Sequence, residues 1–167
     1  MVPSAGYLEH CPGATSRATL DTPTTGGGAT SPDERWFPSH LTDLDQADCL
    51  DLLAGHTVGR VAYCDELGPV VLPVNYVLDQ GSILIRVSPH STLAAHLRSG
   101  RASFEIDDYD EYNQSGWSVL VRGNVEYAET TDLPAEDDRP VAWPEGQRSL
   151  HVRITPHAIS GRRLLSA

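Results

Sequence analysis

The stretch Ile85-Arg86-Val87-Ser88-Pro89-His90-Ser91-Thr92 sets one guanidinium and three hydroxyls, those of Ser88, Ser91 and Thr92, just before a short helical pattern. A helix start leaves backbone N–H groups without intrahelical partners, and hydroxyls with an arginine beside them complete a cradle for an anion such as a phosphate. A plainer reading of the same residues has Ser91 only capping the helix and Arg86 paired with a surface carboxylate. Asn75, in Pro73-Val74-Asn75-Tyr76, puts a planar amide among apolar residues of an expected strand. It either faces water on an open sheet face or hydrogen-bonds a flat heterocycle lying along the strand. Trp117 follows Gly116 at the head of a long apolar run, where an aromatic serves as a core or interface residue or as a stacking platform.

Several other chemistries are excluded by residue type. All twelve cationic residues are arginine, so a Schiff-base lysine, a Walker-A lysine and a Ser-x-x-Lys nucleophile cannot occur. There is no G-x-S-x-G elbow and no H-E-x-x-H, and the closest histidine pairs, His90 with His96 and His151 with His157, stand six apart. That spacing puts two side chains on different faces of a helix, so no metal site is expected. The three cysteines, Cys11, Cys49 and Cys64, form neither a disulfide framework nor a zinc knuckle. The carboxylate pairs Asp107/Asp108 and Asp137/Asp138 fall in expected loops, where they serve solubility.

These groups need a scaffold, and 167 residues of which 40% are hydrophobic suffice for one globular domain. A formal net charge of -11, with 23 acidic against 12 basic residues, argues against nucleic acid as a partner. No run approaches the roughly 18 apolar residues of a membrane span, and the first residues lack the basic-then-apolar order of a secretory signal. A cytoplasmic protein with no membrane partner is therefore expected. Residues 1–38 are rich in Pro, Gly, Ser and Thr without an apolar period, which predicts a disordered or loosely ordered extension ahead of a domain over 39–167. Thr42-Asp43-Leu44-Asp45 resembles a capping box, and Leu44, Ala47, Leu50 and Leu53 follow at helical spacing up to Gly55, predicting a helix over about 43–54. Alternating, β-branched runs at 57–64, 70–78, 83–88, 102–107, 117–128 and 150–155 predict six short strands, with Asp79-Gln80-Gly81 as a hairpin turn. A capped helical pattern over 91–100 interrupts them. Two acidic stretches, 107–116 and 129–140, read as loops.

The succession Cys49-Leu50-x-Leu52-Leu53, Val58-Gly59-Arg60-Val61-Ala62, Pro73-Val74-Asn75-Tyr76, Phe104-Glu105-Ile106-Asp107, Gly116 to Gly123 and Ile154-x-Pro156-x-x-Ile159-x-Gly161-Arg162 resembles the pyridoxamine 5'-phosphate oxidase-like, flavin-nucleotide-binding family, in particular its short actinobacterial members. The resemblance runs from about residue 41 to 165 and implies a mainly β fold: a six-stranded antiparallel split β-barrel of Greek-key type with short helices. It further implies a homodimer with FMN in clefts at the interface and an oxidoreductase acting on a small-molecule substrate. By position, Arg86, Ser88, Ser91 and Thr92 would meet the phosphate, Asn75 would lie along the isoalloxazine, and Trp117 would approach the cofactor or the partner subunit. Relatives handle pyridoxamine phosphate, deazaflavin, nitroimidazoles or haem, so deazaflavin and haem are alternative cofactors and fold alone does not choose the substrate. Many members carry Gly-Thr-Lys-Leu where this chain has His90-Ser91-Thr92-Leu93. Losing that lysine's charge costs a charge-assisted hydrogen bond of roughly 1.5–3 kcal/mol. A non-catalytic binding, sensing or sequestering barrel with weakened flavin affinity is accordingly the rival expectation.

Overall fold

The computed structural model describes residues 40–143 and 146–165, so the extension expected over residues 1–38 lies outside the described residues. Strand alternation builds the fold. In the strand Val58–Asp65 (β2), Gly59, Val61 and Tyr63 are buried while the residues between them face outward, the period-two pattern of a sheet with one wet face. The other strands are His40–Leu44 (β1), Gly68–Asp79 (β3), Ser82–Val87 (β4), Ser99–Asp110 (β5), Ser115–Tyr127 (β6) and Leu150–Leu165 (β7). They pair antiparallel in the order β1-β7-β4-β3-β2-β5-β6, and β6 returns to pair with β7. Six strands, β2 to β7, thus close a ring, which bears out the mainly β, antiparallel barrel that the family resemblance implies. Closure leaves no bare edge on these six.

The core inside the ring holds Val61, Tyr76, Ile83, Ile85, Phe104, Ile106, Val119, Val121 and Ile154, all essentially solvent-free. Tyr76 and Phe104 meet edge-on at 4.7 Å, and the Tyr76 hydroxyl donates to the Leu53 carbonyl at 2.8 Å. That bond ties β3 to the helix Gln46–Gly55 (α1). Gly161 lets α1 and β1 settle onto β7, because a Cβ there would stand 2.7 Å from Cys49 Sγ and 2.9 Å from Leu44 Cδ1.

Several boundaries differ from expectation. Residues 40–44 form a seventh strand against residues 161–165 of β7, and Thr42 donates to the Arg163 carbonyl at 3.3 Å instead of capping a helix. Asp45 caps α1 in its place, accepting from the Asp48 N–H at 2.8 Å, so the helix starts at Gln46. The strand expected to end at Thr155 runs on to Leu165. A register shift sets Arg122 against Ala158 and Gly123 against Pro156, and this bulge admits a proline that cannot donate to a ladder. The helix expected over 91–100 is the single turn Thr92–His96 (α2). It stops at Leu97, whose N–H donates to the Leu93 carbonyl, and Gly100, at φ +111°, already lies in β5. Asp107 and Asp108 belong to β5, leaving only the turn beyond Asp110 as a loop. The second acidic stretch folds into two short 3-10 turns, Thr130–Asp132 and Glu136–Asp138. Cys49 is buried with a free thiol.

Candidate functional site

On β4 the residues Ile83, Ile85 and Val87 point into the core, so Ser82, Leu84, Arg86 and Ser88 face outward by alternation. Leu84 is nonetheless fully buried, because the chain between β6 and β7 crosses this outer face as a strap. Two attachments hold the strap. Arg153, outward on β7, pairs with Asp79 of β3 at 2.7 Å and donates to the Asp132 carbonyl at 2.9 Å. Further along, the Trp143 N–H donates to Asn75 Oδ1 at 3.1 Å. Between strap and β3 lies a cleft of about 700 Å³ lined by Asn75, Asp79, Asp137, Arg139, Val141 and Trp143, among others.

The predicted site residues distribute unevenly around this cleft. The β3–β4 register pairs Tyr76 with Ile85, so Asn75 falls opposite Arg86, one step beyond, and both side chains face outward. Arg86 is itself opposite His151 across the β4–β7 seam, giving a row of Asn75, Arg86 and His151 over three strands. Arg86 Nε donates to the Arg148 carbonyl. Among the described residues ion pairs form only at Arg60, Arg153 and Arg162, so the surface carboxylate of the plainer reading does not meet Arg86.

Ser88 follows Arg86 on the same face, and Ser91 caps α2. The Ser91 hydroxyl donates to the Ser88 carbonyl at 2.7 Å and accepts from the Ala94 N–H at 3.1 Å. Its only proton is therefore spent within the turn, and in this arrangement Ser91 has none for an anion. Thr92 is exposed, and its carbonyl meets His96 Nδ1 at 2.8 Å.

Trp117 stands apart from α2. It packs on the core at the head of β6, edge-on to His56 at 4.8 Å. Tyr127, ten residues further along β6, donates to the Ala94 carbonyl of α2 at 2.7 Å. At about 3.4 Å per residue this separates Trp117 from α2 by roughly 30 Å within one copy of the chain.

Three residues of the site carry no sign of it in local sequence: His151, Arg139 and Trp143. His151 is 8% exposed, and its Nε2 is buried with no hydrogen-bond partner. Burial lowers its pKa, and the charges of Arg86 and then Arg139 lower it further. The regular alternation of Leu150–Ile154 places His151 outward, but only the β4–β7 register puts it beside Arg86.

The fold has counterparts among known proteins. The structure of an FAD binding protein from Mycobacterium smegmatis is 27% identical, with 74% of this chain and 98% of that one covered at a TM-score of 0.58. A conserved protein of unknown function from Corynebacterium diphtheriae is also 27% identical, covering 75% of this chain and 98% of that one at a TM-score of 0.62. An uncharacterized protein of Mycobacterium tuberculosis is 26% identical over 132 residues, 75% of this chain and 87% of its own. A family model described as pyridoxamine 5'-phosphate oxidase matches residues 45–163. With α1 and the six strands of the closed ring inside that match, save the last two residues of β7, the chain belongs to the pyridoxamine 5'-phosphate oxidase family.

Proposed function

We propose that this protein binds an FMN-class cofactor on the outer face of the β3–β4 seam and acts, as a homodimer, as an oxidoreductase on a small molecule. The observation that carries the reading is the placement of Asn75 beside an Arg86 that has no carboxylate partner, at the edge of a cleft of about 700 Å³. That volume lies within the roughly 300–1,000 Å³ of small-molecule sites. Asn75 Oδ1 accepts from the Trp143 N–H, which leaves the amide NH2 as a donor for a carbonyl or ring nitrogen. The exposed side chains of Val141 and Trp143 supply an apolar wall for a flat ring.

Arg86 serves as the permanent cation for the phosphate, the Ser88 and Thr92 hydroxyls as neutral donors, and Ser91 as the residue that holds the turn. A bound flavin supplies reversible uptake of a hydride or of single electrons, while the chain binds, orients and shields it. Trp117 packs on His56 at 4.8 Å, beside Thr57 at the Asn75 end of the cleft, which fits a place near the ring rather than the phosphate of the cofactor. The likeness to the mycobacterial FAD binding protein supports a flavin, and family membership supports redox chemistry.

Titration of FMN into the protein, followed by quenching of flavin fluorescence, tests the reading. Binding is expected, weakened about ten- to a hundredfold by Arg86→Ala, the equivalent of one charge-assisted hydrogen bond. Absence of binding, or full affinity in Arg86→Ala, would refute it. Turnover with a reduced nicotinamide or deazaflavin donor then distinguishes an enzyme from a binder, and light scattering reads the dimer.

A further inference from the structure

In a protein whose net charge is -11, Arg86, Arg139 and Arg148 form no ion pair among the described residues, although the exposed carboxylates of Asp137 and Asp138 line the cleft with Arg139. Arg86 donates to the backbone of Arg148. Arg139 lies at the end of the second 3-10 turn and donates through Nε to the Pro134 carbonyl at 2.9 Å. Two buried nitrogens here, Arg148 Nε and His151 Nε2, have no partner. A buried donor left unmatched costs about 1–3 kcal/mol and signals a missing acceptor. His151 is more than nine-tenths buried, stands opposite Arg86 across the β4–β7 seam, and feels the charges of Arg86 and then Arg139. An imidazole beside cations that form no ion pair stays neutral until an anion arrives, and the anion then reverses the local field.

We infer that the β4–β7 seam is an oxyanion site in which Arg86, Arg139 and Arg148 hold a dianion and His151 takes up a proton as that dianion binds. The inference rests on the flavin reading only in naming the cofactor's phosphate as the natural dianion. The other charged groups near His151 are already engaged or solvated. Arg153, two residues along β7, pairs with Asp79 of β3. Glu126 of β6, opposite Arg153, is exposed. Proton balance is simple: one proton moves from solvent to the imidazole as the dianion binds, so affinity rises toward lower pH by at most about tenfold per pH unit.

Calorimetric titration with sulfate, a dianion that does not itself titrate near neutrality, tests the site in the full chain. Running it at pH 7 in two buffers of different ionisation enthalpy counts the protons taken up per anion bound. Net uptake is expected in the parent protein, its loss in His151→Gln, and weaker binding with uptake retained in Arg139→Gln. No sulfate binding, binding without uptake, or uptake that survives in His151→Gln would overturn the inference. FMN titrated by fluorescence quenching separates this from the cofactor, and the proton count is read from sulfate alone because a phosphate monoester itself titrates at about pH 6. FMN binding without sulfate-linked proton uptake refutes the proton-linked site and leaves the flavin reading standing, whereas sulfate binding with uptake but no FMN binding does the reverse.

Discussion

Replacing Arg153 with Met tests what anchors the strap over the candidate site. The Asp79 and Arg153 side chains are only 12% and 14% exposed, and their charged atoms approach to 2.7 Å. Arg153 also reaches the Asp132 carbonyl at 2.9 Å, so a single guanidinium joins β7, β3 and the strap. Removing it leaves a carboxylate buried without a counter-charge, which typically costs 3–5 kcal/mol. Asp79 Oδ2 lacks an aligned hydrogen bond despite the short approach, so the lower end applies and about 3 kcal/mol is expected. For a domain of this size each kcal/mol moves Tm by about 2–8 °C, giving a fall of roughly 10 °C. Thermal unfolding of the parent, Arg153→Met, Asp79→Leu and the double variant forms a double-mutant cycle. The double variant should recover much of the loss, because it strands no charge. A loss under 1 kcal/mol in Arg153→Met, or a double variant no better than Arg153→Met, would show that the pair does not hold the strap.

Other perturbations have equally definite outcomes. His151 has its folded pKa lowered from 6.5 by burial first and then by Arg86 and Arg139. The folded state therefore resists protonation, and Tm in ligand-free, sulfate-free buffer should hold above about pH 6.5 and drop as pH falls below it. His151→Gln should flatten that drop. Tyr76→Phe removes a buried hydroxyl and leaves the Leu53 carbonyl unmatched, which should cost about 1–3 kcal/mol in urea unfolding. Gly161→Ala places a methyl 2.7 Å from Cys49 Sγ and 2.9 Å from Leu44 Cδ1, so calorimetry should show a loss of about 1–3 kcal/mol from overpacking.

The elements that rest on local chemistry were legible in the chain. Period-two alternation over 58–64 and 82–87 identifies strands whatever pairs with them, and the Asp79-Gln80-Gly81 turn is made where Gln80 and Gly81 take positive φ. Ser91 caps α2 as its position three residues before Ala94 requires. Composition alone excluded lysine chemistry, and the order of short motifs pointed to the family. The misplaced start of α1 shows the limit of such signals. Both Thr42 and Asp45 are good caps, and the choice falls to Asp45 because residues 40–44 are taken up by a ladder with residues 161–165, a contact no local window contains.

The same limit governs the site. Sequence by itself determined that Arg86, Ser88, Ser91 and Thr92 lie close along the chain, that Asn75 occupies a strand, and that Trp117 heads another. Tertiary structure alone decided that Asn75 and Arg86 are cross-strand neighbours, that Trp117 is at the far end of β6, and that His151, Arg139 and Trp143 join the row. The physical reason is that strand register and ring closure depend on pairings between residues tens of positions apart. A shift of one residue in such a pairing would turn every side chain to the opposite face. The strap adds a second layer: its irregular chain has no period to read, and its place over β3 and β4 comes from Arg153 with Asp79 and from Asn75 with the Trp143 N–H, bonds that exist only once the barrel has closed.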